Sequence, residues 1–170
     1  MKQKSLVTAI VSWILVLWIS KVFLTSLFYK FTGHPDAVHI FTTIGGWLSG
    51  FLGTTIGDAF SRYGAYGVGS FELLTALVLL SPPLFWLFQK AAGAQNLSSR
   101  ARVHALGGIM ASVVMAGAVF FHLASPLGVE VLHEGKGDGG SLFYAAVSIL
   151  VSGIILFILN RKPGESALHP

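Results

Sequence analysis

The sequence predicts an all-α polytopic membrane protein: a four-transmembrane-helix bundle with an outer segment that is interfacial or re-entrant and partly helical. Three observations lead to this prediction. Apolar residues make up 54% of the 170-residue chain and charged residues only 11%, whereas soluble domains carry about 25% charged residues. The mean hydropathy is +0.74. Four apolar runs are long enough to cross a bilayer, which takes about 20 helical residues.

The predicted spans are residues 6–29, 71–88, 103–124 and 142–159. Backbone amides in lipid must be satisfied within the spanning segment, so runs this long are expected to be helices. In the second span, the Pro82-Pro83 pair should kink or break the last turns, because proline has no amide hydrogen. The length of the chain indicates a single membrane domain, residues 1–170.

Charge divides the connections into two groups. The N-terminus, the linker after the second span and the C-terminal tail hold seven of the eleven basic residues and one acidic residue. The other two connections, residues 30–70 and 125–141, hold five acidic and three basic residues. Basic loops stay in the cytoplasm, so four spans with both termini cytoplasmic fit every connection. The positive charge therefore reflects topology, and the expected partner is the lipid bilayer and no nucleic acid.

The connection over residues 30–70 forms a long outer segment between the first two spans. Residues 37–56 are apolar enough to be considered as a fifth span, but a fifth crossing would place the basic C-terminal tail outside. Eight of the twenty glycines also lie between Gly45 and Gly69, which counts against a span. We predict one or two short helices that lie on the interface or dip back into the membrane. Their apolar side would carry Trp47, Phe51 and Phe60.

Three ionisable residues in or beside the spans are candidates for a ligand-binding cluster. Lys21 lies about two turns inside the outer end of the first span. Glu72 lies at the outer end of the second span, and His122 lies at the corresponding depth in the third. A charge at this depth costs several kcal/mol unless it is paired, so Glu72 is expected to contact Lys21 or His122. In the alternative interpretation, Lys21 snorkels to the headgroups and Glu72 is solvated.

A second group of polar residues lies in the outer connections. His34 and His39 flank Asp36, and His133 lies in the connection between the last two spans. Imidazole and carboxylate groups together suit Zn, Fe, Cu or Mn, so these four residues are candidate metal ligands. Their spacing matches no metal motif, and solvated loop histidines are the alternative.

Several kinds of chemistry are excluded. The chain has no cysteine, which removes disulfides, thiolate nucleophiles and cysteine-ligated metals. It contains no phosphate-binding loop, dinucleotide fingerprint or nucleophile elbow. His104 and His122 lie about 27 Å apart along one helix and cannot ligate the same haem iron.

Three motifs follow one another along the chain in the order found in one family. A lysine closes the first span ahead of Thr-Gly, and a glycine and a glutamate open the second. A glycine-rich stretch leads from the third span to the fourth. The motifs read Tyr29-Lys30-Phe31-Thr32-Gly33, Gly69-Ser70-Phe71-Glu72, and His122 to Glu130 followed by Gly137-Asp138-Gly139-Gly140. In these motifs the chain resembles the DoxX-like family of integral membrane proteins, which includes the small subunits of thiosulfate:quinone oxidoreductase.

The resemblance implies a four-helix bundle in a bacterial cytoplasmic (inner) membrane, often within a redox or stress-protection complex. It adds Lys30 to Glu72 and His122 as residues of the family pattern. The favoured hypothesis is an accessory or assembly subunit that packs against other membrane subunits or a second copy through glycine-rich faces. One alternative is a quinone-linked redox subunit with an outer-leaflet pocket. A small-solute or metal transporter is the other, and whether the protein is an enzyme stays open.

Overall fold

The computed structural model describes residues 2–92 and 99–161, and most of this part is helical. It contains six helices and one short hairpin: α1 (Lys2–Phe31), α2 (Pro35–Leu52), α3 (Thr54–Leu80), α4 (Pro82–Ala92), α5 (Arg100–Ala124), β1 (Leu132–His133), β2 (Lys136–Gly137) and α6 (Ser141–Asn160). The two strands pair antiparallel. Helices α1, α3, α5 and α6 are long and apolar enough to span a membrane. The predicted all-α, multi-pass architecture is confirmed.

The four spanning helices pack as a bundle around one apolar core. Helix α5 packs along α6, and α3 packs against both α1 and α5. Ten buried side chains form the core: Val16, Ile19, Phe23, Ala76, Leu79, Ala111, Met115, Ala146, Ile149 and Leu156. Apolar side chains are also exposed around the outside, as expected for surfaces in contact with lipid. Because lipid is as apolar as the core, helix association depends on close packing.

Glycines provide that close packing between α5 and α6. A Cβ atom on Gly108 would lie 2.6 Å from the Gly153 carbonyl oxygen, and a Cβ on Gly153 would lie 2.6 Å from the Gly108 carbonyl oxygen. The two backbones are therefore in direct contact. A Cβ on Gly107 would meet the Leu79 side chain of α3, so this surface of α5 is used for packing within the chain.

The two ends of the bundle differ in their contacts. At one end, here called the Asn160 end, the Asn160 side-chain amide donates to the Ser12 hydroxyl at 2.8 Å, and both residues are buried. The buried His104 packs edge-on against Trp13 near this end, with ring centroids 4.8 Å apart. At the opposite end, here called the Glu72 end, α1 finishes and α6 begins.

The outer segment forms a helical hairpin made of α2 and the first half of α3. Gly53, with φ +84°, makes the turn between them. Gly45 and Gly57 bring the two helices into backbone contact, since a Cβ on Gly45 would lie 2.5 Å from the Gly57 carbonyl oxygen. The expectation of helical structure in this segment is confirmed.

Helix α2 packs across the Glu72 end of the bundle. Ile44 contacts Leu127 and Val131 in the loop after α5. The Trp47 ring lies 6.2 Å from the Phe120 ring at the end of α5. These contacts place α2 against the last turns of α5 and the loop that follows it.

The segment predicted as the second span, residues 71–88, is divided between two helices. Helix α3 runs from Thr54 to Leu80, and Pro82 begins the separate helix α4. The break at Ser81 follows from the two prolines, because a missing amide hydrogen is tolerated in the first turn of a helix but not in its interior. Glu72 therefore lies inside α3 and not at its end. The other three spans agree with the prediction to within a few residues.

We expect Gly108→Ala to destabilise the bundle by about 1–3 kcal/mol, because the added methyl group forces α5 away from α6. Gly117→Ala is the matched control on the same helix, since a Cβ on Gly117 would meet no atom of a neighbouring element within 4 Å. The control should be neutral or stabilising by up to about 1 kcal/mol, the difference in helix propensity. Thermal unfolding in lipid nanodiscs measures both, and equal melting temperatures would contradict the packing argument.

Candidate functional site

A buried ion pair joins α1 to α3. The Lys30 ammonium group donates to both carboxylate oxygens of Glu72, at 2.7 Å to Oε2 and 3.0 Å to Oε1. It also donates to the Ser26 hydroxyl at 3.0 Å, and that hydroxyl lies 2.7 Å from Glu72 Oε2. The side chains of Lys30 and Glu72 are 15% and 3% exposed. Three polar groups thus satisfy one another inside an apolar bundle.

The helix geometry explains why this pair can form. Ser26 and Lys30 are four residues apart on α1 and therefore lie on one face. On α3, Gly69 precedes Glu72 by about one turn. A Cβ on Gly69 would lie 3.4 Å from the Lys30 Cβ and 3.1 Å from the Phe31 ring. The glycine therefore lets α1 and α3 approach closely at the level of the ion pair.

Glu72 takes Lys30, and not the predicted Lys21, as its cationic partner. Lys21 is exposed, and its ammonium group lies 6.0 Å from the centre of the Trp18 ring. Nine residues separate the two lysines, which places them about 180° apart around α1. The snorkelling alternative, with Lys21 on the outer face of the bundle, matches this placement.

A cavity of about 660 Å³ extends from the ion pair into the bundle. Its walls come from α1, α2, α3, α5, α6 and the loop after α5, and most of the lining side chains are apolar. The polar lining residues include Ser26, Lys30, Asp36, Glu72, His122 and Asp138. A mostly apolar cavity with a few polar groups is typical of small-molecule sites.

His122 lines the same cavity and has its own hydrogen-bonding partner. It is 7% exposed, and its Nδ1 lies 2.6 Å from the Gly128 carbonyl oxygen. A carbonyl oxygen only accepts hydrogen bonds, so Nδ1 carries the hydrogen atom. The neutral imidazole then presents a lone pair on Nε2. His122 can therefore accept a hydrogen bond or a proton from a molecule in the cavity.

Asp138, which sequence reasoning did not select as a site residue, organises the loop at the cavity rim. Its Oδ1 accepts hydrogen bonds from the backbone amides of Val131 at 2.8 Å and Gly140 at 2.9 Å. Its Oδ2 accepts the Leu142 amide at 2.9 Å and the Ser141 hydroxyl at 3.2 Å. Burial by itself would raise the pKa of this carboxyl group, but the hydrogen bonds outweigh it and hold the pKa below the ordinary 3.8.

The four residues predicted as metal ligands lie side by side. The His133 Nδ1 lies 2.8 Å from one Asp36 oxygen, and the His34 Nδ1 lies 3.4 Å from the other. The His39 ring stacks on the His133 ring at 4.7 Å. In residues 2–92 and 99–161, no three His, Asp or Glu residues are placed to hold a metal ion. Through these contacts the group links the β-hairpin to the start of α2.

Comparison with known proteins does not assign the chain to a family. No family model, no curated protein and no solved structure matches it. Its function is therefore inferred from the cavity and from the polar groups that line it.

We expect the ion pair to show strong coupling in a double-mutant cycle. Glu72→Leu leaves a buried ammonium group without its counter-ion, and Lys30→Met leaves a buried carboxylate. Each should destabilise the protein by about 3–5 kcal/mol, whereas the double variant should lose much less than the sum. Unfolding in nanodiscs provides the free energies. Lys21→Met is the control and should change stability by less than about 0.5 kcal/mol; additive single effects would mean that the pair does not interact.

The Asp138 carboxylate should make stability depend on pH. Because its pKa is lower in the folded protein, its contribution is present above the ordinary pKa of 3.8 and is lost as the pH falls toward the folded-state value. Asp138→Asn should therefore be less stable at neutral pH and lose less stability on acidification. Melting temperatures over a pH series test this. Asp58→Asn, which changes an exposed carboxylate on α3, should behave as the unmodified protein does.

Proposed function

We propose that the protein is a quinone-binding subunit of a bacterial inner-membrane redox complex. The single observation that carries this proposal is the cavity at the Glu72 end, which combines apolar walls with the Lys30–Glu72 pair and the His122 imidazole. An isoprenoid quinone also combines a polar and an apolar part, because a small polar ring is joined to a long apolar tail. The charge distribution of the connections supports an orientation with the Glu72 end on the outer side of the membrane.

The polar groups suit both redox forms of such a ligand. A quinone carbonyl oxygen accepts hydrogen bonds, and the Lys30 ammonium group can donate one. A quinol hydroxyl donates, and His122 Nε2 and the Glu72 carboxylate can accept. These groups would orient the ring and exchange protons with it. The electron acceptor or donor is assigned to a partner subunit.

The resemblance to DoxX-like proteins supports the same proposal. Lys30, Glu72 and His122, the three residues carried over from the family pattern, all line the cavity. They come from three different helices, so their meeting at one site does not follow from their separate motifs.

The two other hypotheses have less support from the structure. The accessory or assembly hypothesis relied on glycine-rich faces, and two glycines of the third span, Gly107 and Gly108, pack within the chain. A small-solute or metal transporter needs a polar path across the bundle. Leu79, Ala111 and other apolar side chains form the core of the bundle, and the buried polar residues Ser12, His104 and Asn160 lie at its Asn160 end. Association with partner subunits or a second copy remains part of the proposal, through surfaces other than these.

Binding of a decyl-tailed ubiquinone analogue tests the proposal. We expect saturable binding to the protein in nanodiscs, measured by quenching of tryptophan fluorescence. Glu72→Gln should weaken it about tenfold, in line with the loss of one charged hydrogen-bonding partner. Lys21→Met should leave the affinity unchanged. Linear, non-saturable quenching that is the same in all three proteins would disprove the proposal.

His122→Asn separates the role of Nε2 from that of Nδ1. The asparagine amide can still donate to the Gly128 carbonyl oxygen, but it removes the Nε2 acceptor from the cavity. We expect this variant to weaken binding of the reduced, hydroxyl-bearing analogue more than binding of the oxidised form. An equal loss for both forms would show that Nε2 does not accept from the quinol.

A further inference from the structure

We infer that the ligand enters the cavity sideways from the bilayer, between α1 and α6, and that its apolar tail occupies this opening when bound. The inference rests on the proposed quinone site for the position of the ring. It adds the route of entry and the requirement for a tail that reaches the lipid.

The exposed residues of the cavity wall mark where the cavity opens. Five of them lie on α1, on the first turn of α2 and on the first turn of α6: Thr25, Tyr29, Asp36, Ser141 and Leu142. Tyr29 is 47% exposed and Leu142 is 44% exposed although both line the cavity. One more exposed lining residue, Val113, lies on α5. The opening is therefore framed mainly by α1 and α6.

Two contacts between neighbouring elements bound this opening. Toward the Asn160 end, the Trp18 indole donates to the Ser148 hydroxyl at 3.2 Å and joins α1 to α6. At the other limit, the Asp36 carboxylate meets His133 of the β-hairpin. From Trp18 to Tyr29 the opening extends about 16 Å along α1. Both helices are long and apolar enough to span a membrane, so we infer that an opening between them faces the bilayer.

The chemistry of the walls changes along the route. At the opening, the cavity lining combines polar side chains, among them Thr25 and Ser141, with apolar ones such as Leu142. Its inner part carries Lys30 and Glu72. A molecule that enters ring first would leave its tail beside Val22, Leu142 and Ala145, apolar lining residues of α1 and α6. Ligand cavities of about 300–1,000 Å³ enclose molecules of drug size, so a long isoprenoid tail must continue out of the cavity, and the opening provides its path.

Two pairs of tryptophan substitutions test the route. Thr25→Trp with Leu142→Trp adds bulk at the opening. Leu24→Trp with Val151→Trp adds the same bulk at exposed positions on the same two helices that do not line the cavity. The first variant should slow association of the decyl-tailed ubiquinone analogue about tenfold or more, while the control variant should associate at the unmodified rate. Stopped-flow fluorescence in nanodiscs gives the rates.

The tail-free ubiquinone ring distinguishes this inference from the proposed function. If both analogues bind the unmodified protein but the opening variant and its control associate at the same rate, entry between α1 and α6 is wrong and the quinone site stands. If neither analogue binds the unmodified protein, both proposals fall. Slow association of the decyl analogue in the opening variant alone supports the inference.

A second measurement does not depend on added bulk. Because the chain has no cysteine, Thr25→Cys introduces a single thiol at the opening. Bound decyl analogue should protect this thiol from a membrane-permeant maleimide, whereas the tail-free ring should not. Leu24→Cys, one residue away, should react at the same rate with either analogue present. Equal protection of both thiols, or of neither, would overturn the inference.

Discussion

The buried ion pair between Lys30 and Glu72 is the constraint on which the Glu72 end of the molecule depends. Two opposite charges inside an apolar bundle are tolerated only when each satisfies the other, since removing either from water is costly. Their contact requires α1 and α3 to approach closely, which Gly69 allows. The polar end of the cavity follows from this pairing, because Lys30 and Glu72 both line it.

Hydropathy predicted α1, α5 and α6 well because their apolar runs end at charges, glycines or polar turns. Hydropathy did not predict where α3 begins, because the first half of that helix is rich in glycine and only moderately apolar. Helical structure there is stabilised by backbone contact between Gly45 and Gly57, which joins two segments and leaves no periodic signal in either. Pro82 and Pro83 act locally, so the break in the helix at this point could be predicted from the sequence.

The candidate site was predicted in part for a similar reason. Depth in the membrane placed Lys21, Glu72 and His122 at one level, but depth does not give the direction in which a side chain points. The turn of about 100° between successive residues of a helix places Lys21 and Lys30 on opposite faces. The four-residue spacing of Ser26 and Lys30 places both on one face of α1, and this spacing could have identified Lys30 as the partner of Glu72. Asp138 could not be identified in this way, because its role depends on the turn that brings the Val131 amide to it.

The two ends of the bundle are not equivalent, because the hydrogen bond between Asn160 and Ser12 lies at one of them only. In the part of the chain that the structure describes, it joins α6 to α1 at one end, while the cavity that holds Glu72 and His122 lies at the other. A proton that leaves a bound quinol through these groups would therefore be delivered to one side of the membrane. Under the proposed function, the exchange of protons with the bound quinone would be confined to that side.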